Sequence, residues 1–141
     1  MIRQRGQALV EFSLVLIPFL FLLMGVADLG RGIYTSNAVA EAAREIARVT
    51  SVHPCVGLLP CTVGSSPETV AVIGTQRTLV PGLAAPVIDC VNMSDSPVAS
   101  TDCKRGTFIR VTVQAPFQVI TPLLSFIGPS TFSSTSHIAL P

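Results

Sequence analysis

The chain has 141 residues, the length of a single domain, with 49% hydrophobic and 12% charged residues. The formal net charge is +1 and no basic cluster occurs, which excludes the electrostatic footprint of a nucleic-acid-binding protein. The apolar excess is larger than soluble domains show and is concentrated near the N-terminus, which indicates a membrane segment.

The first predicted element is an apolar helix close to the N-terminus. Residues 13–27 carry no charge, and extension back to Ala8 gives twenty residues in which Glu11 is the only charged one. Twenty helical residues at about 1.5 Å each span roughly 30 Å, the thickness of the hydrocarbon core of a bilayer. Arg3 and Arg5 precede this segment. The positive-inside tendency therefore predicts a single-pass protein of the inner (cytoplasmic) membrane, with its N-terminus in the cytoplasm and its C-terminal part outside.

Glu11 is the unusual feature of this helix. A carboxylate costs about 2.5–3.5 kcal/mol at the bilayer centre and less near its edges, so an intramembrane acid predicts a positively charged partner. Two other interpretations remain open. A plain signal anchor has the same length and flanking charge, but it does not require an acid at this offset. A cleaved secretory signal is the other, because Gly25-Val26-Ala27 before Asp28 is an acceptable small-x-small cleavage site, although the helical pattern continues past it.

Gly6 ends the short basic leader, and Glu11 is the fifth residue when the chain is counted from Gln7. This combination of leader and acid resembles the processing signature of type IV prepilins. The run RGQALVEFSLVLIPFLFLLMGVADLGR, followed by the alanine-rich NAVAEAAREIAR, resembles the TadE-like family of minor pilins from tight-adherence (Tad) pili. This resemblance covers about residues 5–48 and is much looser afterwards.

The resemblance implies a structural and assembly protein, a minor pilin involved in pilus biogenesis and adhesion. It implies that a prepilin peptidase cuts between Gly6 and Gln7. The cut frees an α-amino group at Gln7, which is a candidate counter-charge for Glu11 of a neighbouring subunit. The globular part is longer than that of short major pilins, which favours a minor, priming or tip role.

The same reasoning predicts the organisation and the partners of the chain. We expect a basic leader at 1–6, a transmembrane and assembly helix at 7–30, and an extracytoplasmic pilin-like domain at 31–141. The expected partners are a prepilin peptidase, other pilins, Tad assembly platform proteins and the membrane, and no nucleic acid. After processing, the protein is expected to enter an extracellular pilus.

The helical pattern returns at residues 33–49 with a different character. An apolar stripe at helical spacing predicts a buried face, formed by Ile33, Val39, Ala42, Ala43 and Ile46. Two acid–arginine pairs three residues apart favour an exposed opposite face, namely Glu41–Arg44 and Glu45–Arg48. We predict one interrupted helix over about 7–50, with bends at Pro18 and at the glycine-containing stretch 28–32.

A second, shorter helix is predicted by its N-terminal residues. Ser66, Pro67 and Glu68 supply a cap residue, a proline at the first helical position and an acid in the first turn. The helix should run over about 67–80. One side of it carries Val70, Ile73, Arg77 and Val80.

Three strands are predicted in the second half of the chain, at 87–91, 107–119 and 131–140. The second is the clearest, because apolar and polar residues alternate along it, with Ile109, Val111, Val113 and Ala115 on the predicted buried face. Pro116 should limit its far end. Antiparallel pairing with the last strand follows from the short connection. The predicted fold class is α+β and type IV pilin-like, with a long N-terminal helix packed on a small antiparallel sheet.

Four cysteines in an exported domain are expected to be paired, and three connectivities are possible. The local connectivity, Cys55–Cys61 and Cys90–Cys103, would close one very short and one medium loop. A metal site formed by His53, Cys55 and Cys61 is an alternative, but the spacing fits no standard zinc motif. We therefore predict two local disulfides and neither a metal nor another cofactor.

Catalytic motifs are absent from the sequence. It contains no GxSxG, no phosphate-binding glycine loop and no HExxH, so no enzymatic activity is predicted. Asp89, Asp95 and Asp102 are interpreted as solvated loop acids, and His137 should lie on an outer sheet face. The alternative function is a membrane-anchored or secreted extracytoplasmic binding module unrelated to pili.

Overall fold

The structure, a computed structural model, describes residues 3–53, 62–99, 103–122 and 128–141, with side chains from Gly6 onward. Its described elements are two helices and three strands: α1 (Arg3–Val52), α2 (Pro67–Leu79), β1 (Val87–Val91), β2 (Phe108–Phe117) and β3 (Ser130–Ala139). This arrangement confirms the α+β, pilin-like class with its long N-terminal helix, short second helix and small antiparallel sheet.

Helix α1 is continuous over 50 residues, through Pro18 and through the stretch 28–32. The predicted interruption at 28–32 is therefore wrong. Two glycines there cost about 1 kcal/mol each relative to alanine, but contacts with the rest of the domain oppose this cost. A Cβ atom on Gly32 would lie 3.5 Å from Cζ of Phe117, so the helix backbone passes close to the end of β2 at this point.

The two halves of α1 have opposite surroundings. In the first half, an 18-residue stretch with a mean hydropathy of 2.4 has none of its residues buried by the rest of the protein. The second half contributes buried residues to the core of the domain. Its buried residues include four of the predicted stripe, Val39, Ala42, Ala43 and Ile46. Ile33 is 56% exposed, so its prediction as a core residue is wrong. The sheet ends beside Gly32, and Ile33 therefore lies at the edge of the helix–sheet contact.

The sheet has the order β1-β2-β3, and both neighbouring pairs are antiparallel. The inward residues of β2 are buried as predicted and pack against α1: Ile109, Val111, Val113 and Ala115. Strand β2 nevertheless runs through Pro116 to Phe117, so the prediction that Pro116 ends it is wrong. The β1 pairing stops at Thr112, and Pro116 faces that unpaired edge. Its missing N–H group therefore breaks no bond of the sheet.

Helix α2 begins as predicted, since Oγ of Ser66 accepts a hydrogen bond from the backbone N–H of Thr69 at 3.2 Å. The buried side of its first turn is shifted by one residue, because Thr69 is fully buried and Val70 is exposed. The Thr69 hydroxyl lies 3.2 Å from the hydroxyl of Thr50 on α1 and accepts a hydrogen bond from Ser66. A small network of hydroxyl groups therefore joins the two helices.

A disulfide joins Cys90 on β1 to Cys103, with the two Cα atoms 5.8 Å apart. It closes the loop that follows β1, as the local connectivity predicted. Cys55 and Cys61 lie outside the described residues, and their pairing stays a prediction.

Candidate functional site

The predicted processing and assembly residues lie in the first turns of α1. Gly6, Gln7 and Glu11 are exposed, and the helix is regular around them. Gln7 and Glu11 are four residues apart and therefore share one helical face, about 6 Å apart along the axis. The predicted cysteines belong to other parts of the chain, so the structure does not gather the predicted residues into one cluster.

The surface that follows is apolar on all sides. Twelve large apolar side chains between Leu9 and Met24 are 38% to 70% exposed in the single chain. Such an area is far larger than the apolar patches that soluble monomers tolerate, so it requires a lipid or protein environment. Among the described residues, α1 is the one helix that is long and apolar enough to cross a membrane.

Directly after the apolar segment 8–27, the Asp28 side chain ties α1 to the segment that follows β2. Its carboxylate accepts hydrogen bonds from the backbone N–H groups of Ile120 and Thr121, at 3.0 and 2.8 Å, and from the Thr121 hydroxyl at 2.6 Å. Arg31, one turn later, donates a further bond at 3.1 Å. We call these four residues the Asp28 clasp. Asp28 is only 5% exposed.

The clasp also determines the protonation state of Asp28, which lies outside the apolar segment. The hydrogen bond from the Thr121 hydroxyl, followed by the Thr121 backbone N–H, lowers the pKa of the Asp28 carboxyl below its ordinary value. Burial acts in the opposite direction, and the Ile120 N–H and the Arg31 charge add smaller lowering effects. Asp28 is therefore ionised at neutral pH and acts as a fixed acceptor for the domain.

A groove opens next to the clasp, between α1 and the adjoining ends of β2 and β3. Its volume is about 640 Å³, and we call it the junction groove. Its helix wall includes Gly25, Leu29 and Ile33, and its domain wall includes Phe117 and Phe132. The two phenylalanine rings lie with centroids 5.3 Å apart. The Arg31 guanidinium lies 5.6 Å from the centroid of the Phe117 ring, which joins the groove to the clasp.

Two of the acids expected to be solvated, Asp89 and Asp95, also form ion pairs. Arg110 on β2 lies across from Asp89 on β1 and His137 on β3, and it donates to Asp89 at 3.0 Å and to Asp95 at 3.3 Å. Nε2 of His137 lies 3.2 Å from Oδ1 of Asp95. The side chains of Asp89 and Asp95 are 38% and 60% exposed, so both are solvated as predicted and are paired in addition, whereas Asp102 lies outside the described residues. This cluster fastens the disulfide loop to the outer face of the sheet, where His137 was expected.

Sequence reasoning missed the Asp28 clasp because its donors lie 92 and 93 residues further along the chain. The one local signal was an isolated acid at the end of an apolar run. Within the described ranges, no three His, Cys, Asp or Glu side chains are placed to hold a metal ion. The alternative ligand set of His53, Cys55 and Cys61 falls mostly outside those ranges.

The fold and these features define a protein with one membrane-capable helix whose second half is the core helix of a small α+β domain. Residues 6–48 match the family model described as TadE-like protein. No curated protein and no solved structure gives a significant match. Over its first third the chain is therefore similar to TadE-like proteins, and this similarity supports an association with Tad pili. The match covers the apolar segment and most of the core-forming half of α1, and it ends before α2 and the sheet.

Proposed function

We propose that the chain is a minor pilin of a Tad-type pilus, a structural and assembly protein of pilus biogenesis and adhesion. The observation that carries this proposal is α1 itself, in which an uncovered apolar half continues without a break into the core of the domain. Such a helix can anchor a precursor in the membrane and later pack against the helices of other subunits. We assign the protein no enzymatic activity, because its site consists of apolar surface and structural contacts.

In this proposal the N-terminus is cytoplasmic and a prepilin peptidase cuts between Gly6 and Gln7. The helix spans the membrane over residues 8–27, and Asp28 is the first polar group outside. Processing gives Gln7 a positive α-amino group on the face of the helix that carries Glu11. In an assembled bundle that amine and the Glu11 carboxylate of a neighbouring subunit can pair. The further proposed partners are other pilins and the Tad assembly platform.

N-terminal sequencing of the mature protein tests the proposal. A start at Gln7 supports pilin processing. A start at Asp28 would instead identify a secreted domain, and a start at Met1 or Ile2 a plain membrane anchor. The continuity of α1 through Ala27 and Asp28 supports retention of the apolar helix.

A pair of glycine variants makes the test specific. Gly6→Leu should leave the protein in the membrane at its precursor mass, because a bulky side chain would precede the proposed cut. Gly30→Leu is the matched control, since a Cβ atom at Gly30, as at Gly6, meets nothing within 4 Å. Normal processing of the Gly6→Leu variant would rule out this cut site.

A further inference from the structure

The junction groove shares one of its walls with the proposed membrane segment. Gly25 belongs to the apolar segment 8–27, whereas Leu29 and Ile33 follow it on the same wall. At about 1.5 Å per residue, Gly25 lies roughly 3 Å inside the end of the apolar segment and Ile33 roughly 9 Å beyond it. The headgroup layer on each side of the hydrocarbon core is about 5–8 Å thick. The groove therefore crosses this layer when α1 spans a bilayer.

The domain wall of the groove is held at the same depth by the Asp28 clasp. The carboxylate of Asp28 bonds directly to Ile120 and Thr121, which follow β2 closely. Ile120 is exposed although it is a large apolar residue beside a buried carboxylate. The last residues of β2, including Phe117, therefore stay beside the point where α1 leaves the membrane.

The chemistry of the groove suits a lipid chain. Its walls are mostly apolar, and its volume of about 640 Å³ lies within the usual range of ligand pockets. Arg31 does not line the groove, but its guanidinium lies over the Phe117 ring, and its half-exposed side chain lies at the level of the headgroups, where a guanidinium is attracted to phosphate.

We propose that the junction groove binds an acyl chain of a bilayer phospholipid, so that the end of β2 lies in the membrane interface beside α1. This inference rests on the proposed membrane anchoring of α1. The bound lipid covers Phe117 and Phe132 while the subunit is anchored, and it must leave when the subunit leaves the membrane.

The absence of tryptophan from the sequence permits a direct test with single-tryptophan variants of the full chain. Phe117→Trp places the probe in the groove, and Phe21→Trp places one within the apolar segment. Phe108→Trp is the matched control at the other end of β2, nine residues or about 30 Å away. Each variant is reconstituted in phosphatidylcholine vesicles whose acyl chains carry bromine either near the glycerol end or near the methyl end, and fluorescence quenching is measured.

We expect strong quenching in Phe21→Trp, quenching in Phe117→Trp that is greater with bromine near the glycerol end, and little quenching in Phe108→Trp. Quenching of Phe117→Trp no greater than that of Phe108→Trp, with Phe21→Trp quenched, would overturn the lipid site and leave the anchoring intact. Absence of quenching in all three variants would overturn both.

Loss of Phe117→Trp quenching as the protein-to-lipid ratio rises would assign the groove to a second copy of the chain and overturn the lipid site. If Phe117→Trp lacks the Cys90–Cys103 disulfide, and is therefore misfolded, Val119→Trp on the same wall replaces it. The same quenching pattern is then required of that variant.

Discussion

The side chain of Asp28 connects α1 to the rest of the domain by hydrogen bonds. Its carboxylate is the common acceptor for two backbone N–H groups, one hydroxyl and one guanidinium. Hydrogen bonds to a charged acceptor are stronger than neutral ones, and removal of the acceptor leaves the donors of Thr121 buried without a partner. A single side chain on α1 therefore holds the segment that follows β2 against this helix.

Replacement of Asp28 by asparagine should therefore destabilise the domain. Asn keeps the size of the side chain, but it loses the charge and points an NH₂ group at N–H donors. We expect a lower unfolding temperature for the detergent-solubilised full chain, together with faster hydrogen exchange at Ile120 and Thr121. Glu41→Gln is the matched control, because Glu41 also pairs with an arginine three residues later, but both partners are exposed. Equal effects of the two variants would contradict the importance of the clasp.

The clasp also predicts a pH dependence with a definite sign. The folded-state pKa of Asp28 lies below its ordinary value, so its contribution to stability is complete above the unfolded pKa. That contribution is lost as the pH falls through the folded value. The difference in unfolding temperature between wild type and Asp28→Asn should therefore stay constant from about pH 7 to 5 and shrink below about pH 4. The contributions of other acids, including Glu45, are the same in both proteins and therefore cancel in this difference. A difference in unfolding temperature that stays unchanged in strongly acidic solution would contradict this prediction.

Asp28 also illustrates what sequence alone can predict at the scale of a residue. Glu41 and Glu45 were correctly paired with arginines, because both partners lie on the same helix at a fixed spacing. Arg31 lies three residues from Asp28 on the same helix, but the other partners of Asp28 lie beyond β2, and no local pattern predicts them. Arg110 presents the same case, since the register of three strands decides that it meets Asp89.

At the scale of elements, predictions succeeded where a periodic pattern or a cap determines the structure. The alternation in β2 and the Ser66 cap of α2 are of this kind, and β1 was predicted with its observed bounds, Val87–Val91. They failed where tertiary contacts override a local rule. Strand β2 continues through Pro116 because β1 does not pair with β2 at that position. Thr69 is buried because its hydroxyl has hydrogen-bonding partners in Thr50 on α1 and in the cap residue Ser66.

The edge of the helix–sheet contact in the second half of α1 can be tested with one residue type. Ile46 is fully buried against the sheet and Ile33 is 56% exposed, on the same helix. Ile46→Ala should reduce the free energy of unfolding by about 2–5 kcal/mol, because it removes buried methylene groups and leaves a cavity. Ile33→Ala should change it by about 0.5 kcal/mol or less. Urea unfolding of the full chain in detergent, followed by hydrogen exchange of β2 amides, measures both. Equal losses would place Ile33 in the core.

At the scale of the whole molecule, α1 combines an uncovered apolar half with a half that packs in the domain core. The TadE-like match ends at Arg48, yet the apolar stripe within it, such as Ala42 and Ala43, is buried only because β2 and β3 pack on it. The segment that matches the family therefore requires the unmatched domain for its own burial. The apolar half has no such cover in the single chain, and Glu11 lies within that half. The role of Glu11 therefore depends on the contacts that α1 makes with a membrane or with another subunit.

Glu11 therefore provides the prediction on which the pilin proposal depends most. If Glu11 only tolerates the edge of the membrane, removal of its charge should favour insertion and leave assembly unchanged. If it pairs with the Gln7 amine of a neighbouring subunit, Glu11→Ala should be inserted and cleaved normally, because the leader and the apolar run are intact. Its incorporation into pili should then fall, since a partner charge is left buried and unpaired at a cost of about 3–5 kcal/mol.

The measurement is the ratio of pilus-associated to membrane-associated protein, with processing checked by mass. Ser13→Ala is the matched control, because Ser13 is an exposed polar residue two positions further along α1 whose hydroxyl bonds only to the Val10 carbonyl of its own helix. Its incorporation should equal that of the wild type. A penalty of about 3–5 kcal/mol at one subunit contact corresponds to a loss of more than a hundredfold in that contact's equilibrium constant, so even partial coupling is measurable. Normal cleavage and normal incorporation of Glu11→Ala would leave Glu11 without a role and favour a plain membrane anchor.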